Sequence, residues 1–487
     1  MTKMIAIVIL CLLPMMVGNA QQISSGRITG LGGMSASAST DVDAIGTNPA
    51  NLLYPSNGGV VFELAPVSVN AGTNFLSLGM YNNYFTGTGQ TDSAGNAIGR
   101  FLTANDKQTI LDAFPDGTGT VRFGSLVRLL AFSVDESSFA FGVSVDVNGG
   151  GVAKLPNSLL FPLEGVAPGE TISLNQLSAE SWLYTTYNLD FATKLPVVSD
   201  LIPQDIARNF LAGVGVKLVS GYSYENVQST NSSLYTSASD YSYTLNLGFN
   251  GVRAGLISSA VSKGVKSKLG NQDVNFNPLK PQGSGFGFDL GTSAQILNYF
   301  KVGVSVTNIG WISWTKNVVN TFGDTSVTYS GFAPDQTNVP GSTSNLDSLK
   351  DAFNDYFANK DVPGSSVSTS LPTRFNIGVS MQVNDVVGGL PGQLLVGMDY
   401  HQGLNRTFGN VMTPEFIFGA EWKPVAFLPI RSAVGLGGAY GFDWSIGIGV
   451  DLAFYDFDLG IGTFNSVVAP TSAKAISLAL NVLKFRF

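Results

Sequence analysis

From about residue 58 to the last residue, apolar and polar side chains alternate with period two in one segment after another. In 138–148, Phe139, Phe141, Val143, Val145 and Val147 share one face, and Ser138, Ala140, Gly142, Ser144, Asp146 and Asn148 share the other. In 442–452, Phe442, Trp444, Ile446, Ile448, Val450 and Leu452 oppose Asp443, Ser445, Gly447, Gly449 and Asp451. The same pattern runs through 209–224, 285–296, 374–384 and 455–462. Successive strand side chains point to opposite faces, so each segment predicts a strand with one apolar and one wet side. A soluble sandwich alternates too, and the content of the faces separates the two. The apolar faces are long, carry aromatics mainly toward their ends, and hold no charge in these six segments. The opposite faces hold Gly, Ser and charge, which make a poor sandwich core but a good wet lumen. A charge on the lipid face would cost roughly 2–4 kcal/mol at mid-membrane. The pattern therefore predicts an all-β fold, a transmembrane antiparallel β-barrel.

Candidate strands fall near 59–70, 121–134, 138–148, 181–195, 209–224, 238–249, 284–297, 299–310, 371–384, 392–402, 413–424, 429–439, 442–452, 454–464 and 474–487. That number is odd, whereas a single-chain bacterial barrel has an even number of strands. The short turns at Asp135-Glu136 and Leu297-Asn298 should share one end of the barrel, and this series puts them at opposite ends. Either 250–283 contains a further strand or one earlier segment is not a wall strand. Long loops are expected near 83–120, 149–180, 250–283 and 313–370. Thr103-Ala104-Asn105-Asp106 reads as a helix capping box, and Leu346, Leu349, Phe353 and Tyr356 stand at helical spacing after Ser344-Asn345. The apolar content of the loops implies that they pack on each other, on the barrel mouth or on a ligand.

The last segment changes phase. Leu478, Leu480 and Val482 share one face, but Leu483, Phe485 and Phe487 take the other. The slip at Val482-Leu483 predicts a β-bulge. It would turn Lys484 and Arg486 inward, or into the rim, and keep Phe485 and Phe487 on the lipid side. An aromatic at the last and third-last positions is similar to the closing strand of bacterial outer-membrane barrels, where the insertion machinery recognises it.

Composition adds the address. A single basic residue, Lys3, then an apolar run from Met4 to Val17 and small residues before Gln21 read as a secretory signal peptide over 1–20, cleaved after Ala20. The only cysteine, Cys11, lies inside it, so the remainder has neither disulfides nor thiolate chemistry. Net charge is −8, which argues against nucleic acid as a partner. Charged residues are only 12% and glycines number 57, yet no later apolar run approaches the ~18 residues of a membrane helix. Strands must then do the crossing.

Residues 21–57 differ from the rest. Gly26, Gly30, Gly32, Gly33 and the run Ser35 to Ser39 are small enough to pack a thin segment into a confined space. By composition alone this is a flexible linker. The run Gly30-Leu31-Gly32-Gly33, then Asp41, Asp43-Ala44 and Asn48-Pro49-Ala50, resembles the N-terminal hatch of the outer-membrane long-chain fatty acid transporter superfamily. Tyr81 to Gly87, Thr307 to Trp314 and Ser370-Leu371-Pro372-Thr373 are most similar to an uncharacterised family within it. Asn51 stands where that family usually has Gly. The resemblance implies about 14 strands over 58–487, a plug over 21–57 built on Asp41, Asp43, Asn48, Pro49 and Ala50, and a place in the outer membrane of a Gram-negative bacterium. It implies passive, hatch-gated uptake of small hydrophobic molecules such as fatty acids, with outer-membrane lipid and the insertion machinery as further partners. Type IX secretion shuttles share the opening, so a scaffold barrel that binds proteins through its loops is the alternative.

Chemistry is sparse. His401 is the only histidine and shares a face with Asp399. The pair reads either as catalytic or gating, or as part of a lumenal hydrogen-bond network. No metal-ligand spacing and no phosphate-binding loop occurs, and neither an enzyme nor a cofactor is expected. Arg128, Lys217, Asp289, Arg374, Asp399, His401 and Arg431 should face inward. They would pair with each other and with the hatch, or line a path where a lumenal cation meets a carboxylate head group.

Overall fold

Val60 and Phe487 exchange backbone hydrogen bonds of 3.2 and 2.9 Å, and Val61 to Leu64 lie opposite Arg486 to Leu483. The first strand therefore pairs with the last, and the sheet has no free edge. The computed structural model describes residues 25–54, 59–93, 95, 98–136, 138–160, 166–195, 203, 206–255, 279–297, 299–329 and 361–487. The expected signal peptide and the helical spacing at 346–356 lie outside the described residues.

Among the described residues 14 antiparallel strands close the barrel. In chain order they are β1 (Val60–Leu64, resuming as Val67–Thr73), β2 (Thr118–Asp135), β3 (Phe139–Pro156), β4 (Ser178–Lys194) and β5 (Ala207–Ser229). Next come β6 (Tyr243–Gly255, resuming as Gly283–Ile296), β7 (Phe300–Trp314, resuming as Val319–Tyr329) and β8 (Asp361–Pro363, Val367–Ser370 and Arg374–Gln382). The series ends with β9 (Gln393–Gly403), β10 (Glu415–Lys423), β11 (Ile430–Gly437), β12 (Gly441–Asp451), β13 (Tyr455–Gly462) and β14 (Ala475–Arg486).

The odd strand of the sequence reading is resolved at β6. Both of its pieces pair with β5: Ser223 faces Gly255, and Gly221 faces Gly283. The candidates at 238–249 and 284–297 are thus two halves of one wall strand, whose described pieces end at Gly255 and resume at Gly283. With that strand counted once, the 135–136 and 297 turns fall at the same end. This turn end also carries the β4–β5, β8–β9, β10–β11 and β12–β13 connections, and the opposite, loop end carries the long β1–β2, β3–β4 and β7–β8 connections together with the short β11–β12 link. Several strands are longer than the ~10 residues that cross a membrane. β2, β3 and β5 run 18, 18 and 23 residues, so parts of the expected loops at 83–120 and 149–180 are strand. The capping box at Thr103 and Asp106 is present and starts a helix, Ala104–Asp112.

The faces follow the alternation. Leu218 is 59% exposed on the outside and its neighbour Lys217 only 3% exposed on the inside. Phe442, Ile448, Leu189 and Leu290 stand outward and exposed, whereas Asp190, Asp289 and Asp399 are buried inward. A closed barrel with an apolar outer face and a polar interior is the solution that a strand protein finds in a bilayer. At the closing strand, Val482 and Leu483 together oppose the single residue Phe457, the expected bulge. Beyond it Lys484 is buried inward and Phe487 stays 76% exposed.

Candidate functional site

Residues 25–54 run inside the barrel, buried almost throughout. Their local structure is set by caps. Ser25 accepts from Ile28 N and starts a short helix, Gly26–Gly30. Asn48 accepts from Ala50 N at 3.3 Å and starts the 3-10 turn Pro49–Leu53, with Pro49 in the first turn, where its missing N–H is no loss. Asn48 also donates to Ala36 O at 3.0 Å, tying the two halves of the segment together. Close approach to the wall requires small residues. A Cβ on Gly30 would stand 2.7 Å from Gly447 Cα, and one on Gly303 in β7 would collide with Ala36 O. Ile45, Ala50, Leu52 and Leu53 pack against Val61, Ala140, Ala192 and Leu211 of the wall.

Wall charges hold this segment in place. Lys484 Nζ lies 2.9 Å from Asp41 and 3.3 Å from Asp43, and Arg486 binds Asp41 at 3.2 Å and Asp456 at 2.7 Å. Burial pushes the Asp41 carboxyl up, but Lys484 and Arg486 outweigh it and hold the group below the usual carboxylate range. Arg128 pairs with Asp146 at 2.8 Å and donates to the carbonyls of Val42 (2.8 Å) and Ile45 (3.2 Å). Asp399 accepts from Ala36 N at 2.7 Å and Ser37 Oγ at 2.8 Å. Arg431 bridges Glu421 and Asp458, and Arg27 of the segment binds Glu421 at 3.1 Å. Lys217 pairs with Asp289 at 2.8 Å within the wall. Of the inward residues expected from sequence, Arg128, Lys217, Asp289, Asp399, His401 and Arg431 are all buried. Buried charges persist only when paired, and these are. Arg374 stands apart, near the loop end.

His401 Nε2 lies 3.4 Å from Asp399 Oδ2. The carboxylate it faces is the one that docks Ala36 and Ser37, so the pair belongs to the network around the N-terminal segment. Among the described residues no group of three or more His, Cys, Asp or Glu is placed to hold a metal ion.

Toward the loop end the inward face changes character. Trp182 and Tyr184 of β4, Tyr224 of β5, and Ile312 and Trp314 of β7 form a buried apolar cluster with Leu371 and Phe408. Phe408 comes from the strap 404–414 between β9 and β10, which reaches across the lumen. Its ring centroid lies 5.6, 5.1 and 5.9 Å from those of Trp182, Tyr184 and Tyr224. Tyr224 stacks on Trp314 at 5.5 Å. The strap is pinned at three points: Asn405 donates to Leu371 O (2.7 Å), Asn410 donates to Thr373 O (2.8 Å), and Glu180 of β4 accepts from Phe408 N (3.1 Å). Sequence reasoning passed over this cluster. The available signal was that Trp182 and Tyr184 share the parity of Asn188 and Asp190, the wet face.

Cavities open at both ends of the lumen. At the turn end about 200 Å³ opens between Arg27, Lys301, Lys423, Arg486, Asp451 and Asp456. Lys301 Nζ sits 3.5 Å from the Tyr54 ring centroid there. A smaller pocket of about 30 Å³ lies at the loop end beside the strap.

A family model described as "Family of unknown function (DUF5723)" matches residues 64–463. No curated protein matches the chain by sequence. Among solved structures the chain is similar to the Ralstonia pickettii toluene transporter TbuX, at 13% identity and TM-score 0.47, covering 96% of this chain and 99% of that one. It is also similar to the P. putida toluene transporter TodX, at 11% identity and TM-score 0.44, covering 96% and 98%. A third is a Pseudomonas aeruginosa FadL homologue, at 12% identity and TM-score 0.43, covering 96% and 97%.

Proposed function

We propose that this chain, which belongs to the family of unknown function DUF5723, is a plugged barrel of the Gram-negative outer membrane that passes small hydrophobic molecules without covalent chemistry or energy input. The observation that carries the reading is the aromatic lining of the loop-end lumen: Trp182, Tyr184, Tyr224, Trp314 and Phe408 face inward, where a water-filled pore would carry polar side chains. Apolar side chains with few polar groups are what a site for a small hydrophobic molecule needs. Residues 25–54 act as the hatch below that lining. The contacts of Asp41, Asp43 and Asn48, and of Arg128, Asp399 and Lys484, latch it to the wall. Because these latches are ion pairs and hydrogen bonds, rearranging them breaks no covalent bond. Fatty acids are one substrate of this kind.

The test is transport. Proteoliposomes containing the purified barrel should take up a hydrophobic tracer faster than empty liposomes, and Asn48→Ala, which removes one of the two amides that donate to Ala36 O and the cap of Pro49–Leu53, should raise the rate. Equal uptake in both preparations, together with soluble partner proteins retained through the loops, would favour the scaffold reading instead.

A further inference from the structure

Six cations line the turn-end cavity: Arg27, Lys301, Lys423, Arg431, Lys484 and Arg486. Five of them stand at ion-pair distance from a carboxylate. Among the described residues Lys301 alone does not, although it is only 5% exposed. The carboxylates of the lining are taken: Glu421 by Arg27 and Arg431, Asp451 by Lys423, Asp456 by Arg486 and Asp458 by Arg431. Asp399 acts on Lys301 only from farther off, and it already accepts from Ala36 and Ser37. Arg27 repels it. A buried charge needs a partner of opposite sign, and the described residues supply none to Lys301.

Unused donors line the same space. An ammonium has three N–H groups. On Lys301 one meets Ser39 O at a long 3.4 Å, and another meets the Tyr54 ring, whose centroid lies 3.5 Å from Nζ. The third is left over. Arg27 spends Nε and Nη2 on Glu421 and Nη1 on Ala38 O, which leaves two of the five N–H groups of a guanidinium. Size and lining narrow the ligand. The cavity measures about 200 Å³. At roughly 10–15 Å³ for each water-sized group, it has room for an oxyanion together with its waters. Of the lining only Ala38, Tyr54, Leu395 and Val450 are apolar, so the cavity offers no bed for an alkyl chain. In an outer-membrane barrel the short turns face the periplasm, and a ligand at this end comes from there.

We infer that the turn-end cavity binds a small hydrophilic oxyanion, held between Lys301 of the wall and Arg27 of the N-terminal segment. The site goes beyond the proposed passage of hydrophobic molecules and does not rest on it. One cation belongs to β7 and the other to residues 25–54, so the anion fastens the segment to the wall from the periplasmic end. It supplies the counter-charge that the protein leaves out at Lys301.

The test uses the detergent-solubilised full-length barrel at neutral pH. Inorganic phosphate and acetate are titrated separately by calorimetry, against sodium chloride of equal ionic strength. At least one of the two oxyanions should bind saturably at a single site. A ligand that binds only the docked form shifts the docking equilibrium by mass action, so at ten times its dissociation constant it should slow proteolysis of 25–54 by about tenfold. Lys301→Gln should abolish both effects, and Lys301→Arg, which keeps the charge, should retain them. Each variant is first checked for the heat-dependent gel shift of a folded barrel. Binding of neither oxyanion to the wild-type barrel overturns the site and leaves Lys301 a neutral amine. Binding that survives Lys301→Gln, or protection that chloride matches, overturns it as well. Uptake of the hydrophobic tracer is measured apart from these titrations, so the passage stands or falls on its own.

Discussion

Lys484 Nζ stands 2.9 Å from Asp41 Oδ1, and both side chains are 2% exposed. Lys484 belongs to the strand that closes the barrel and Asp41 to the segment inside it, so one ion pair joins wall closure to occupancy of the lumen. The bulge at Val482-Leu483 makes this possible. Without that extra residue the alternation would turn Lys484 to the lipid.

Removing the lysine should therefore loosen the segment. Lys484→Met leaves Asp43 without its cation and Asp41 with Arg486 alone. Breaking a buried ion pair from one side costs about 3–5 kcal/mol, here shared between docking and barrel stability. The variant should lose its heat-dependent gel shift at a lower temperature and expose 25–54 to protease. Unchanged protection would show that Lys484 does not hold the segment.

Acid should act on the same contact. The Asp41 carboxyl, pushed up by burial but held down more strongly by Lys484 and Arg486, lies below its usual range when docked. A carboxylate depressed in this way stabilises docking fully above its undocked value of about 4, and the contribution is lost as pH falls through the docked value. Protease resistance of 25–54 should be full at neutral pH and fall only below about pH 4. Asp41→Asn should flatten that part of the profile, and Asn tolerates the left-handed backbone at 41 (φ 42°). A wild-type profile with no acid limb would remove Asp41 as the responsible group.

Sterics offer a test without any change of charge. A Cβ at Gly303 would collide with Ala36 O, and one at Gly213 with the Pro49-Ala50 backbone. Gly303→Val should displace the segment at a cost of about 1–3 kcal/mol, raising tracer flux while β7 keeps its place in the wall. Hydrogen exchange would locate the change: faster at 34–50, unaltered along 300–314. Slower exchange at 34–50 would contradict the packing.

Phe408→Ala removes the ring that caps the aromatic cluster. Phe→Ala in a packed site costs about 3–5 kcal/mol, although a strap can relax more than a core. Tracer flux should increase, and Trp182 and Trp314 fluorescence should shift to longer wavelength as water enters. If flux drops instead, Phe408 contributes to binding rather than to closure.

The alternating faces, the inward charges and the closing bulge were legible in the sequence because each depends on neighbours one or two residues apart. Strand parity alone placed Lys217 inside and Leu218 outside. The small residues around Asn48-Pro49-Ala50 set that segment apart from the strands, but its partners could not be read from them. Asp399 binds Ala36, and Arg128 binds Val42, across separations in the chain that no local pattern encodes.

Only the tertiary structure made one strand of 243–255 and 283–296. Each half alternates like a complete strand, and the deciding fact, that both lie against β5, is a pairing rather than a pattern. The aromatic cluster was hidden for the same reason: its rings come from β4, β5, β7 and a strap whose Phe408 takes a left-handed backbone (φ 52°). By itself the sequence determined which side of each strand faces lipid, since the bilayer imposes that residue by residue. Which inward side chains meet across the lumen depended on how 14 strands close around the N-terminal segment, a property of the whole circle.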